Sequence, residues 1–145
     1  MRGCEMNIWN IDTVTLFNRW YDAINEIEHY EPTVLKSTNL VLQQGANITR
    51  SGLESADSAK LFVNFEKLPK EYKEPKEWLK LAWDEKEKYL TFNPAMDFFV
   101  KGNVADEEVI ENFFEYMQNK YDHVYKITTV DIYKNVMPHY EIGGR

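Results

Sequence analysis

Two tripeptides carry the best case for acid–base or metal chemistry in this chain, His29-Tyr30-Glu31 and His139-Tyr140-Glu141. In an extended segment residues two apart share a side, so each would set an imidazole beside a carboxylate. The third histidine, His123, stands apart, and no two histidines have the helical i, i+4 spacing of a metalloprotease-type zinc site. Polar residues at a strand edge explain these tripeptides more simply. Ser51, Ser55 and Ser58 lie near glycine, but the Gly-x-Ser-x-Gly elbow of a serine hydrolase is absent. Neither Gly-x-Gly-x-x-Gly nor Gly-x-x-x-x-Gly-Lys occurs, so no known phosphate-cradling loop is present. Asp84-Glu85 is followed by Lys86, and Asp106-Glu107-Glu108 suits a helix N-terminus better than a divalent cation. The expectation is a non-enzymatic protein with no catalytic residues, no cofactor and no metal.

Aromatic residues offer a different chemistry. The chain holds 4 Trp, 9 Tyr and 8 Phe, more than one small core needs. Trp9, Trp20, Tyr21 and Tyr140 fall in segments that read as loops or termini, where partly exposed aromatics anchor protein interfaces. The competing reading is a core with Tyr at its rim.

These residues must be positioned by about one domain. A chain of 145 residues buries roughly 68% of its unfolded surface. Net charge is −7, from 24 Asp plus Glu against 17 Lys plus Arg, which argues against holding nucleic acid by phosphate neutralisation. Cys4 is the single cysteine, so no intramolecular disulfide or cysteine zinc cluster forms, and an intracellular setting is expected. No apolar run approaches the roughly 20 residues of a membrane-spanning helix, and the N-terminus has no signal-peptide pattern, so a soluble protein without a membrane partner is expected. The sequon Asn47-Ile48-Thr49 would matter only in a secreted protein.

Residues 1–10 read as an N-terminal extension and 11–145 as a single domain. Alternation predicts a strand from Ile11 to Asn18, and mixed periodicity before Pro32 predicts a loop over 19–31. A second strand is expected over 33–42, with a bulge at 37–39. Residues 43–58 are poor in apolar side chains and read as a long loop or open hairpin arm. A strand follows over 60–65, then a short amphipathic helix over 75–83 with Pro75 in its first turn. Residues 88–92 and 97–101 flank Asn93-Pro94-Ala95-Met96 and read as a hairpin. The acids at 106–108 and apolar Val109, Ile110, Phe113, Phe114 and Met117 predict a helix over 106–120. The last strand is expected over 123–133. Helices that do not alternate regularly with strands imply an α+β fold, mainly an antiparallel β-barrel or sandwich of five to six strands with two short helices.

Several fragments run collinearly along the chain: Val14-Thr15-Leu16-Phe17-Asn18, Thr33-Val34-Leu35-Lys36, Ser51-Gly52-Leu53 with Ser55-Ala56-Asp57-Ser58, Pro75-Lys76-Glu77-Trp78, Tyr89-Leu90-Thr91-Phe92, Val100-Lys101-Gly102 and the closing Pro138-His139-Tyr140-Glu141-Ile142-Gly143-Gly144. In this order they resemble an uncharacterised family of small structural-module proteins of phages and prophages of Gram-positive bacteria, similar to head–tail connector, or head-completion, components. The sequence departs from that pattern at Pro94-Ala95-Met96-Asp97, where the family has a Gly-Asp turn, and residues 1–10 lie outside it.

The resemblance implies a neck protein of the virion, assembled in the bacterial host cytoplasm, most simply a head-closure ring joining portal or adaptor to the tail. Its implied partners are further copies of itself, six or twelve in a ring, the portal or adaptor protein, and the tail terminator or tail tube protein. Genome DNA would pass through the channel without specific binding, repelled by an acidic wall. Within 43–58, Gly45, Asn47, Arg50, Gly52 and Leu53 are the candidates for a gating or intersubunit loop, with Gly45 and Gly52 as hinges. The alternative is a soluble acidic intracellular protein-binding or inhibitor module.

Overall fold

The computed structural model describes residues 11–43, 46–49, 52–55 and 58–145, and within these the strand pairing closes on itself. The strands are β1 (Asp12–Asp22), β2 (Ile27–Gln43), β3 (Ala46–Thr49), β4 (Gly52–Ser55), β5 (Ser58–Asn64), β6 (Glu71–Tyr72), β7 (Tyr89–Leu90), β8 (Phe98–Lys101), β9 (Val124–Tyr133) and β10 (His139–Gly144). The helices are α1 (Pro75–Leu79), α2 (Trp83–Lys86) and α3 (Phe113–Lys120). Six strands form a closed barrel in the order β1-β2-β5-β10-β9-β8, every neighbouring pair antiparallel. The fold is therefore the α+β, mainly antiparallel barrel that the sequence pattern implies.

Strands β1 and β8 and the start of β9 are covered on both faces, which explains their runs of buried residues. Val14, Leu16, Phe99, Tyr125 and Ile127 point into the barrel with Leu35, Leu61, Val63 and Ile142. Phe17, Phe98, Val100 and Val124 point outward, where Phe113 and Met117 of α3 cover them. Phe17 stacks on Phe98 at 4.9 Å between centroids and meets Phe113 edge-on at 5.3 Å.

The loop expected over 19–31 is instead a ribbon. β1 runs on to Asp22 and β2 starts at Ile27, with Trp20 opposite His29 and Tyr21 opposite Glu28. Asp22 closes the turn: its carboxylate accepts from the Ile24 and Asn25 backbone N–H groups and from the Asn25 side chain. Pro32 does not stop β2, because β5 pairs with β2 only from Asn39 onward. The Pro32 carbonyl accepts from the Lys70 ammonium at the unpaired edge, the same edge at which its missing N–H would lie. The bulge expected at 37–39 is present: the register slips opposite Asp12 and Val14, and Ser37 has φ 58°.

Three further expectations are corrected. The 88–101 hairpin does not form: β7 pairs in parallel with β6, and β8 lies between β1 and β9. Leu90 and Phe92 instead plug the barrel, Phe92 packing on Tyr140 at 5.2 Å. The 75–83 helix breaks into α1 and α2, since Trp78 is buried and donates to the carbonyls of Lys86 and Tyr89. The 106–120 helix begins only at Phe113, after Asn112 in the left-handed region. In one continuous helix Glu107 would stand about 20 Å from Lys120. Its carboxylate lies 2.6 Å from the Lys120 ammonium and also accepts from the Tyr116 and Tyr121 hydroxyls. Glu107 thus folds the segment back instead of starting a helix.

The closing segment, not foreseen as a strand, is β10, inserted between β5 and β9. Its glycines are required by close approach. A Cβ at Gly144 would meet the Tyr125 Cβ at 2.8 Å and the Phe99 ring at 2.9 Å, and one at Gly143 would strike the Thr129 hydroxyl. Here the register shifts between Gly143, opposite Thr129, and Gly144, opposite Ile127, leaving Thr128 as the bulged residue. Gly144→Ala is expected to cost about 1–3 kcal/mol by overpacking, read as a lower urea midpoint at unchanged slope; an unchanged midpoint would show that the barrel wall yields at this point.

Candidate functional site

Among the described residues the most perturbed carboxyl is Asp97, buried at the N-terminal end of β8. Its Oδ1 accepts from the Arg19 backbone N–H at 2.8 Å. Its Oδ2 accepts from Asn18 Nδ2 at 2.8 Å and from the Asn93 backbone N–H at 2.9 Å. Burial pushes the carboxyl up to about 7, against these three donors. A buried acid with such a value is a candidate catalyst in an open cleft, but every donor here belongs to the chain's own framework. Asp97 is a staple: β8 pairs with β1 only up to Phe17, and the carboxyl group takes a further β1 N–H, that of Arg19, in place of a backbone partner.

The two His/Glu tripeptides separate. His139 Nε2 lies 3.1 Å from Glu141 Oε2, and His139 Nδ1 lies 2.8 Å from the Met137 carbonyl. Both ring nitrogens face acceptors, so the imidazolium satisfies both, and the Met137 carbonyl and then Glu141 hold its pKa above the ordinary value. His29 takes no part with Glu31; it stacks on Trp20 at 4.2 Å and tilts against Trp83 at 5.1 Å. Lys86, buried, donates to the Leu79 and Leu81 carbonyls and lies over the Trp20 and Trp78 rings. No group of three or more His, Cys, Asp or Glu among the described residues is placed to hold a metal ion. No helix among them is long and apolar enough to cross a membrane.

The interface aromatics sort differently from expectation. Trp9 lies outside the described residues. Trp20 is half-buried in β1, not in a loop. Tyr140 is only 5% exposed, because β10 is an internal strand whose Tyr140 packs on Phe65, Tyr72 and Phe92. Tyr21 is 51% exposed. Of the loop candidates, Asn47 sits in β3 opposite Glu54, and Gly52 and Leu53 sit in β4 opposite Thr49 and Ile48. Residues 43–58 thus include a two-stranded arm between β2 and β5; Gly45 and Arg50 lie outside the described residues.

Two surfaces were not foreseen. One is the end of the β9–β10 ribbon, where residues 131–138 are all exposed and the turn presents Val136 at 89% and Met137 at 60%. Both have positive φ, 41° and 59°. They lie within the five-residue loop between Tyr133 and His139, and a β-branched residue in the left-handed region is strained. The other is a groove of about 450 Å³ lined by Tyr21, Ile27, Val109 and Ile110 with Glu26, Glu28 and Glu111 among its acids. The apolar dipeptide at the turn, between Asn135 and Pro138, was the available sequence signal.

A family model described as a family of unknown function (DUF6751) matches residues 9–145. The chain belongs to that family. In the DUF6751 chain the matched span takes in the whole barrel, the β3–β4 arm, the β9–β10 ribbon and the segment that forms the groove. No curated protein and no solved structure matches it.

Asp97 gives a pH test with a definite sign. Between its ordinary value of 3.8 and about 7 the native state keeps a proton that the unfolded chain has released, so stability falls as pH rises through that window. Relative to Asp97→Asn, the wild-type chain should lose up to about 4 kcal/mol between pH 4 and 7 in urea unfolding. Parallel pH profiles would show that the carboxyl is ionised throughout.

Proposed function

We propose that this chain is a non-enzymatic structural component of a bacteriophage head–tail connector, a head-closure ring protein joining portal or adaptor to the tail terminator or tail tube. The observation that carries the reading is where the chain spends its exposed apolar surface. Val136 and Met137 on the ribbon tip, and Tyr21, Ile27 and Ile110 at the groove, lie in the open instead of lining an enclosed cavity. Exposed apolar residues on projecting elements serve contacts with other chains. The collinear motifs noted in the sequence support the same reading, and so does the net charge of −7, since a ring of such chains would surround DNA with an acidic wall.

In this reading six or twelve copies form the ring in the virion neck, assembled in the host cytoplasm, and the genome passes without specific binding. Cryo-electron microscopy of purified particles tests it. A closed ring of this chain between head and tail is the expected result. Absence of the chain from the particle would overturn the reading in favour of the soluble acidic binding module.

A further inference from the structure

We infer that the ribbon tip of one copy, Lys134 to Met137, docks into the Tyr21–Ile110 groove of the next copy, and that this heterologous contact builds the ring; the inference rests on the ring reading above. Three observations lead to it. The first is complementarity. The tip offers apolar Val136 and Met137 beside Lys134, and the groove offers apolar Ile27 and Ile110 beside Glu26 and Glu111. Glu26 and Glu111 make no ion pair among the described residues, whereas Glu28 is held by Arg19 at 2.5 Å. A cation arriving with the tip therefore meets uncommitted carboxylates.

The second is strain. Val136 and Met137 are successive non-glycine residues in the left-handed region, a backbone conformation that costs free energy, most of all at a β-branched residue. The turn is held in shape by His139, whose ring donates to the Met137 carbonyl on one side and to Glu141 on the other, while Tyr133 stacks on it at 5.0 Å. The Val136 side chain is 89% exposed, so among the described residues nothing covers it and it is free to meet another copy.

The third is placement. The pairing of Phe17 with Phe98 and of Phe98 with Lys126 sets β1 and β9 level. Both strands then run on in the same direction, β1 to the turn beside the groove and β9 to the tip. Tip and groove therefore lie at the same end of the barrel, and copies standing side by side in one orientation can join them with little axial offset. A head-to-tail contact of that kind closes into a ring.

The test uses the full chain in native mass spectrometry over a concentration series, with Val136→Asp, Val136→Gly, Lys134→Glu, Glu111→Lys and the double charge reversal. Since position 136 is exposed, these tip variants keep the fold, and Val136→Gly should unfold later because it relieves the turn. Expected are at least ten-fold weaker assembly for Val136→Asp and Val136→Gly, weaker assembly for each single charge reversal, and recovery in the double reversal. In a Cys4→Ser background, Val136→Cys with Ile110→Cys should give an intermolecular disulfide ladder. Rings that form equally well with every tip variant would overturn the contact and leave the ring reading standing. A chain that stays monomeric and gives no ladder would overturn the contact, while particle imaging decides the ring reading separately.

Discussion

The barrel closes through four residues. Phe98–Lys101 is the whole of β8, yet it must join β1 on one side to β9 on the other, both much longer strands. A strand this short cannot by itself define the register of two long neighbours, and Asp97 supplies what it lacks. By accepting from Asn18, Arg19 and Asn93 the Asp97 carboxyl group continues the ladder one step past the last backbone pair and locks the 93–97 turn into the gap. Desolvation of the acid opposes this, and three donated hydrogen bonds offset it. On the outer face α3 seals the same three strands with Phe113 and Met117, so closure is secured by side chains from outside the barrel as well as by pairing within it.

Closing the barrel low on β1 leaves its far half to run on with β2 as a two-stranded ribbon, while the far half of β9, paired with β10, ends in the 134–138 loop. This is the structural origin of the exposed surface. The β1–β2 ribbon carries Tyr21 and Ile27 against the 109–112 segment, and the β9–β10 ribbon carries Val136 and Met137 into solvent. A protein that served only its own stability would place glycine or asparagine at the left-handed positions 136 and 137 and polar residues along the groove. In the proposed ring these residues lower the stability of the isolated chain and increase what it gains by association. An acidic surface around them disfavours indiscriminate sticking, to nucleic acid above all.

How much of this the sequence disclosed depended on whether the determining interaction was local. The Ile11–Asn18 alternation, the Ser37 bulge, the strand around Leu61 and the arm within 43–58 depend on local patterns and were legible. The misses were set by distant partners. Glu107 looks like a helix-initiating acid until Lys120, Tyr116 and Tyr121 are seen to claim it. Pro32 looks like a strand breaker until its edge proves to be the one without a neighbour. Asp97 looks like a turn residue and is the closing staple, 78 positions from the Arg19 N–H it binds. Of the aromatics expected to be partly exposed, Tyr21 is exposed, whereas Tyr140 is buried because the closing segment forms an internal strand. Val136 and Met137 follow the expected strand over 123–133, and apart from the apolar dipeptide itself no local pattern marks them as an exposed tip.

The central claim is that the exposed ends of the two ribbons exist for contact between copies. Amide hydrogen exchange on the same chain at dilute and at high concentration tests it most directly, since only an intermolecular contact makes protection depend on concentration. Expected is concentration-dependent protection at residues 133–139, 21–28 and 109–112, with the interior of β1, β8 and β10 unchanged. Protection that is identical at both concentrations, or that appears only on the outward surface of the Trp20–Trp83 cluster, would contradict it.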